Sequence, residues 1–337
     1  MLIIVLWPIK QLLLLFLPAS TTNKSPVQKK IVNGYFYTIL GTIAFSNVYI
    51  FSKAALNEVT LPQFLFSMCA IGFVINLVIL WAKGGFSKLA TVPRMMWWIF
   101  PTLGCLEIFT VSTFYASVNA ISEPAVTGFL GNLFPLFTTI LGIAFLKERF
   151  SPIETVGIFV VFAGAVLTSY SGNIDWKNFF IPGVGLVVMN CLGAATATVI
   201  VRAKVNNLSP EILSFNRTFW LLIFFSGWVI TTGTPLTFST RALTNITIAA
   251  ILDPVLAMLL VYKAYQYIEA SRGTIIQSTK GLLIIPVAFL YFGTLPLPHQ
   301  IAGGIIAMIG VIIIGLGQYT LNLKEQHKAE AKQIFHN

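Results

Sequence analysis

Ten apolar stretches of about 20 residues run along the chain, separated by short segments rich in glycine, proline and charge. Hydrophobicity of this length is typical of helices that cross a bilayer, since about 20 residues span about 30 Å of hydrocarbon. The pattern therefore predicts ten transmembrane helices, with ends set by those breaks. They cover roughly residues 33 to 56, 62 to 82, 97 to 119, 124 to 146, 152 to 171, 179 to 202, 210 to 231, 243 to 267, 272 to 293 and 298 to 320.

One spacing recurs between the two halves of the chain. An offset of 146 residues brings the acid of the third stretch onto that of the eighth, and residues of the fifth stretch onto those of the tenth. The matched pairs are Glu107 with Asp253, Pro152 with Pro298, Gly157 with Gly303 and Gly164 with Gly310. The chain is therefore interpreted as one unit of five helices written twice, over residues 33–171 and 179–320.

The composition is that of an integral membrane protein. Hydrophobic residues make up 56% of the 337 residues and charged residues 9%, against about a quarter charged in soluble domains. No sizeable soluble domain and no nucleic-acid partner is expected, although the net charge is +10. The three cysteines lie in apolar stretches and the three histidines near predicted ends, which favours neither disulfides nor a metal site. We expect no cofactor.

The basic residues predict the orientation of the spans. If the first span starts in the cytoplasm, the inside segments hold fifteen of the 21 Lys and Arg residues and the outside loops hold Lys177 and Arg241. This is a strong positive-inside distribution, and it predicts that both termini are cytoplasmic. Five spans are an odd number, so the second unit crosses the membrane in the opposite sense. Such inverted repeats are common in secondary transporters.

Two end segments flank the repeats. Residues 1–32 are apolar and basic, and the stretch from residue 2 to 17 is broken by Pro8 and Lys10 and is short for a span. It could be an interfacial helix, a signal-like segment or an upstream start that is not used. A cleaved signal would put three lysines outside, so an inside or interfacial segment is favoured. Residues 321–337 are polar and mixed in charge, which predicts a cytoplasmic tail.

Short motifs recur in the two units. The first carries Phe134-Pro135-Leu136-Phe137-Thr138-Thr139, Phe145-Leu146-Lys147-Glu148-Arg149-Phe150, Glu154-x-x-Gly157 and Ala163-Gly164, and the second carries Pro286, Phe292-Gly293, Gln300-x-x-Gly303 and Ile309-Gly310. Together with the ten spans, they resemble the EamA branch of the drug/metabolite transporter (DMT) superfamily. The resemblance implies an all-α membrane fold of two inverted five-helix repeats around a central cavity. It also implies alternating access on small metabolites, with export as the commoner role.

Lys280 departs from that resemblance. Its surroundings, Ser278-Thr279-Lys280-Gly281, look more like the sugar-phosphate and nucleotide-sugar relatives of the superfamily, which makes an anionic substrate an alternative. A second departure is Thr294, which stands where the first unit has Glu148. An unpaired ammonium at hydrocarbon depth is costly, so Lys280 is interpreted as a clamp for a substrate anion. The alternative is a structural ion pair with Asp253.

Glu107 and Asp253 are candidates for proton coupling, and Glu107 also for substrate binding. Burial favours the neutral form of a carboxylic acid, so either residue could carry a proton. The alternative is a pair of neutral acids that pack helices together. Asp253 precedes Pro254 and could also serve a kinked backbone.

Asn132 and Gln277 are the polar candidates for orienting a ligand. Asn132 shares a helix face with Pro135, which interrupts the hydrogen-bond ladder, and that face is predicted to line the cavity. Pro286 has the matching role in the second unit, with Gln277 before it. For Asn132, simple helix packing is an equal alternative.

The remaining charged and aromatic residues of the spans receive simpler interpretations. Snorkelling to the membrane surface explains Lys53, Arg202 and Arg217, while Tyr265 is interpreted as an interfacial aromatic. The cluster from Lys147 to Arg149 is interpreted as a cytoplasmic corner, and the paired glycines as helix-packing positions.

The sequence contains no nucleophile elbow, phosphate-cradling loop or zinc spacing, so neither ATP-driven transport nor an enzyme is expected. We predict a secondary transporter of a small polar metabolite, an exporter or exchanger with proton coupling as an option, in a bacterial inner membrane. Its predicted partners are a small-molecule substrate and the lipid bilayer, with a homodimer left open. The alternatives are an organic-anion exchanger of the sugar-phosphate or nucleotide-sugar type, a channel, and a non-transporting membrane enzyme or scaffold.

Overall fold

The computed structural model describes residues 26–146, 151–172, 180–204, 208–267, 273 and 276–334. They form thirteen α-helices: α1 Pro26–Leu56, α2 Leu61–Ala82, α3 Gly85–Ala90, α4 Ile99–Ala120, α5 Pro124–Leu130, α6 Leu133–Leu146, α7 Pro152–Ser169, α8 Val184–Lys204, α9 Pro210–Thr232, α10 Thr240–Ile251, α11 Met258–Ala264, α12 Lys280–Phe292 and α13 Pro298–Ile334. A π-helical segment, Leu252–Ala257, joins α10 to α11. The segment ahead of residue 26 and the corner from Lys147 to Arg149 lie outside the described residues.

The prediction of an all-α membrane fold is confirmed. Nine spans in the described ranges have the length and hydropathy to cross a membrane, and α12 is a tenth, shorter apolar helix. The described part holds no strand beyond an isolated bridge between Tyr170 and Phe180. Two helices extend past the predicted limits, α1 by starting at Pro26 and α13 by continuing to Ile334. Helical hydrogen bonds do not need apolar side chains, so hydropathy marks where a span ends and not where its helix ends.

Capping residues fix where several helices begin and end. Ser151 Oγ accepts a hydrogen bond from Glu154 N at 3.3 Å, and Glu154 Oε2 accepts one from Ser151 N at 2.6 Å, which makes a capping box for α7. Ser239 Oγ accepts from Ala242 N at 2.9 Å at the start of α10. Gly293 ends α12 with a φ of 72°, a conformation that disfavours any side chain.

The fourth and ninth spans are both discontinuous. In the fourth, α5 ends at Leu130 and α6 begins at Leu133, with Asn132 in the turn between them. In the ninth, a turn at Ser278 and Thr279 precedes α12. Asn132 and Ser278 are 146 residues apart, which is the spacing of the repeat. Both units therefore break the same span at the same place.

The helices pack with the symmetry expected for two inverted units. α7 packs against α13 and α2 against α9, so these equivalent spans meet at the symmetry axis. α1 packs on α10 and α11, as its counterpart α8 packs on α4. Likewise α1 contacts α12, as α8 contacts α6. Each unit thus exchanges its first helix with the other unit, and the core is shared between them.

Glycines allow α7 and α13 to touch along their length. A Cβ on Gly164 would lie 2.6 Å from Gly303 O, and a Cβ on Gly157 would lie 2.9 Å from Gly310 O. Both distances are shorter than van der Waals contact, so no other residue fits without moving a backbone. The interpretation of these four glycines as packing positions is confirmed.

Candidate functional site

A cavity lies between the two units, with walls supplied by helices of both. The wall residues come from α1, α4, α5, α6, α8, α9, α11, the π-helical segment and the start of the ninth span. The volume is about 160 Å³, well above the space that a single water needs. Four predicted site residues, Glu107, Asp253, Gln277 and Lys280, lie on this wall. The residues that the sequence predicted from spans three, eight and nine therefore lie on one cavity.

Arg217 joins the two acids of the repeat. Its Nε lies 2.8 Å from Glu107 Oε2 and its Nη2 3.4 Å from Asp253 Oδ2, and the side chain is only 4% exposed. The interpretation of Arg217 as a snorkelling residue is wrong. A guanidinium with two carboxylates within reach is held in the interior, since both ion pairs would be lost at the membrane surface. We refer to Arg217, Glu107 and Asp253 as the charge cluster.

Asp253 is positioned by the π-helical segment and by its neighbours. Tyr115 on α4 donates a hydrogen bond from its hydroxyl to Asp253 Oδ2 at 2.7 Å. The next carbonyl along the chain, Pro254 O, accepts from Asn76 Nδ2 at 2.8 Å and from Ser214 Oγ at 3.0 Å. Polar side chains thus satisfy a carbonyl at the irregular turn, which is how membrane helices tolerate a break. The break fixes the direction of the Asp253 side chain.

Lys280 lies at the first residue of α12 and has a different environment. A Cβ on Gly131 would lie 3.1 Å from Lys280 Nζ, so the ammonium lies against the broken turn of the fourth span. Among the described residues, no hydrogen bond or ion pair to this ammonium occurs. The predicted alternative, an ion pair between Lys280 and Asp253, does not occur among the described residues. Asp253 instead pairs with Arg217 and accepts a hydrogen bond from Tyr115.

The other predicted residues have separate positions. Gln277 lies on the wall, and its Nε2 donates to the Tyr265 hydroxyl at 3.5 Å. Tyr265 therefore lines the cavity, although the sequence places it at the membrane interface. Asn132, Pro135 and Pro286 are not among the wall residues. Asn132 is 1% exposed, and neither atom of its amide has a hydrogen-bond partner among the described residues.

Lys53 also departs from the snorkelling interpretation. Its Nζ donates to Asn119 O at 2.9 Å and to Ile121 O at 2.8 Å, where α4 ends. These carbonyls have no partner within their own helix, and a cation there also suits the negative end of the helix dipole. Lys53 is a capping residue that ties α1 to α4. The side chain of Arg202 lies outside the described residues.

The comparison with known families decides the identity. The model of the EamA-like transporter family matches residues 32–170 and 181–316, one match for each unit. The chain belongs to the EamA-like transporter family. An uncharacterized transporter of Archaeoglobus fulgidus is 26% identical to it over 230 residues, which are 66% of this chain and 78% of that protein. A crystal structure of another protein superposes on this chain with a TM-score of 0.61 at 16% identity. The match covers 87% of this chain and 98% of that one, and it shows a similar fold.

Membership of the EamA-like family makes the chain a membrane transporter. The family identifies the class of protein, and the geometry of the structure shows which residues meet in the cavity. Sequence reasoning missed Arg217 and Tyr115, which both contact Asp253. For Arg217 a signal existed, since it lies inside the seventh apolar stretch, and Glu107 and Asp253 lie inside two others. For Tyr115 there was none, because a tyrosine in an apolar helix is ordinary.

Proposed function

We propose that this EamA-like transporter is a secondary carrier that binds a small polar metabolite in the cavity between its units. The two units rock against each other and expose the site to either side of the membrane in turn. The observation that carries the proposal is Lys280, a wall residue whose ammonium has no partner among the described residues. A charge in that condition favours a ligand that supplies its partner.

The ligand group that suits Lys280 is an anion. An ammonium inside a membrane protein is costly unless it meets water, an acid or a bound anion. A carboxylate or a phosphate would supply that anion. Gln277, on the neighbouring wall, is suited to orient it.

Proton coupling belongs to the same proposal through Glu107 and Asp253. In this arrangement Arg217 lies within ion-pair distance of both carboxylates. The proposed coupling is the exchange of Arg217 for a proton at one of the two acids as the units move apart. Coupling of that kind would link the state of the charge cluster to the side on which the cavity is open. Export or exchange from a bacterial inner membrane, with cytoplasmic termini, is the direction and location that we propose.

One alternative is an exchanger for sugar phosphates, nucleotide-sugars or related organic anions. Lys280 supports it, because that residue accepts an anion in either case. The second alternative is a non-transporting membrane enzyme or scaffold, which would show no flux.

Transport in proteoliposomes tests the proposal. A thermal-shift screen over amino acids, organic acids, phosphorylated sugars and nucleotide-sugars first identifies a ligand, because a ligand that binds only the folded state raises the free energy of unfolding. Exchange of that ligand is then measured for native protein and for Lys280→Gln. We expect exchange to fall by about tenfold or more, as for the loss of one partner of a buried charge pair.

Lys83→Gln is the matched control, since Lys83 is exposed at the end of α2, away from the cavity wall. Full exchange by Lys280→Gln and by Glu107→Gln/Asp253→Asn would remove this site. Absence of flux for every compound that stabilises the native protein would remove the carrier itself.

A further inference from the structure

The charge cluster does not balance its own charges. Arg217 brings one positive charge, and Glu107 and Asp253 bring one negative charge each. The cluster therefore has a formal charge of −1. It spans both units, since Glu107 belongs to α4, whereas Arg217 and Asp253 belong to the second half. This excess charge lies on the wall of the same cavity as Lys280.

Each acid of the cluster keeps one oxygen for a further partner. Arg217 contacts Glu107 through Oε2, and both Arg217 and Tyr115 contact Asp253 through Oδ2. Among the described residues, Glu107 Oε1 and Asp253 Oδ1 receive no hydrogen bond. Both residues line the cavity. The cluster can therefore accept hydrogen bonds from a ligand without giving up Arg217.

The positive part of the wall belongs to other elements than the charge cluster. Lys280 lies against Gly131, and Thr127, one helical turn earlier on α5, has a buried hydroxyl without a partner among the described residues. Thr127 also lines the cavity. A hydroxyl can donate to an anion that Lys280 attracts. The cavity thus has one wall region with an excess negative charge and another with an excess positive charge.

We propose that Arg217 sets the charge selectivity of the cavity. By offsetting one of the two carboxylates, it leaves a wall that suits a ligand with one cationic group, one anionic group and no net charge. A ligand that lacks either group would leave one buried charge uncompensated, and that cost is what rejects it. The inference rests on the proposed function and names the class of substrate for the same site.

Sets of compounds with one carbon skeleton and different charge test the inference. Leucine, leucinamide and 4-methylpentanoate are zwitterionic, cationic and anionic, and the alanine and phenylalanine sets repeat the comparison at two other sizes. Binding to the purified native carrier is measured by thermal shift and by competition. We expect the zwitterion of at least one set to bind about tenfold or more tightly than its amide or its acid, as for an unpaired buried charge.

Three variants then separate charge from structure. Arg217→Gln leaves both carboxylates unbalanced, so it shifts the preference towards the amide. Glu107→Gln leaves a neutral cluster beside Lys280, so it shifts the preference towards the acid. The double variant Arg217→Gln/Glu107→Gln returns the cluster to a charge of −1, and we expect the zwitterion to be preferred again, although the ion pair is gone.

The outcomes decide between selectivity and a structural role. If Arg217 served only to hold helices together, the double variant would be as impaired as Arg217→Gln and would not regain the order of preference. That result, or a native carrier that prefers an amide or an acid or binds none of the nine compounds, overturns the inference. Saturable, Lys280-dependent flux of anions alone would overturn it and leave the proposed carrier intact, whereas absence of all flux would remove both.

Discussion

Three basic residues within the spans have three different environments. Arg217 Nε lies 2.8 Å from Glu107, Lys53 Nζ caps the carbonyls at the end of α4, and Lys280 Nζ has no partner among the described residues. All three are costly at hydrocarbon depth when unpaired. Lys53 and Arg217 have partners inside the protein, and we propose that a ligand supplies the partner of Lys280. The chemical type of a residue was readable from the sequence, but its partner was not.

Tyr115 supports the cluster through a single hydrogen bond. Tyr115→Phe removes the hydroxyl that donates to Asp253 Oδ2 at 2.7 Å, in a side chain with no exposed surface. Hydrogen bonds to charged groups are worth about 1.5–3 kcal/mol, so we expect a loss of that size in the free energy of unfolding. Thermal or denaturant unfolding in detergent measures it.

Tyr35→Phe is the control for that change. Tyr35 lies near the start of α1, and its hydroxyl has no partner among the described residues. Its substitution should leave stability within about 0.5 kcal/mol of the native value. Equal losses in the two variants would show that the Tyr115 hydrogen bond contributes nothing specific.

At the scale of the helices, breaks occur in three spans that line the cavity. The fourth span turns at Asn132, the ninth turns at Thr279, and the eighth has the π-helical segment around Asp253. Prolines in the sequence signalled irregular backbone in these spans. The breaks of the fourth and ninth spans lie before Pro135 and Pro286, whereas Pro254 lies inside the π-helical segment of the eighth. There the neighbouring helices supply Asn76 and Ser214, which donate hydrogen bonds to Pro254 O.

The contact between α7 and α13 predicts a strong effect for one methyl group. Gly164→Ala puts a Cβ 2.8 Å from Ala307 Cα and 2.6 Å from Gly303 O, so the two helices must separate. Overpacking of this kind costs about 1–3 kcal/mol. We expect a clear fall in melting temperature in detergent.

Gly227→Ala is the matched control on α9. A Cβ there meets no atom within 4 Å, so the change should be neutral or should stabilise the helix by up to about 1 kcal/mol. If the Gly164→Ala and Gly227→Ala proteins had the same melting temperature, the close packing of α7 and α13 would be contradicted.

On the scale of the whole molecule, polar contacts hold the two units together at one end of the cavity. Arg241 Nε lies 3.5 Å from Glu58 Oε1, and Ser239 Oγ donates to Glu58 Oε2 at 2.5 Å. In a further contact between the units, Thr294 Oγ1 donates to Glu123 Oε2 at 3.0 Å. Each contact joins a loop of the first unit to a segment of the second. This end lies beyond Ser117, a wall residue near the end of α4.

We expect Glu58→Gln/Arg241→Gln to loosen that end. Labelling of Ser117→Cys by a membrane-impermeant maleimide, in a background without Cys69, Cys105 and Cys191, measures access from that side. The rate should rise by a few-fold, since exposed ion pairs are worth up to about 1 kcal/mol. Glu211→Gln, at the start of α9 on the opposite face, should leave the rate unchanged. Unchanged labelling in the double variant would mean that these contacts do not close the cavity.

The sequence by itself determined the fold class, the ten spans and the inverted repeat. Span length, the 146-residue offset and the alternation of charge each depend on position along the chain, so they need no knowledge of packing. It also selected Glu107, Asp253, Gln277 and Lys280, because polar groups inside apolar helices are rare enough to be noticed.

The tertiary structure alone decided which of these residues meet. Arg217 could pair with the acids only because α9 packs against α4 and faces the π-helical segment. Around the break in the fourth span, Gly131 and Thr127 line the cavity, whereas Asn132 and Pro135 do not. A side chain's direction at such a break depends on partners from distant segments, and helical periodicity cannot supply that information.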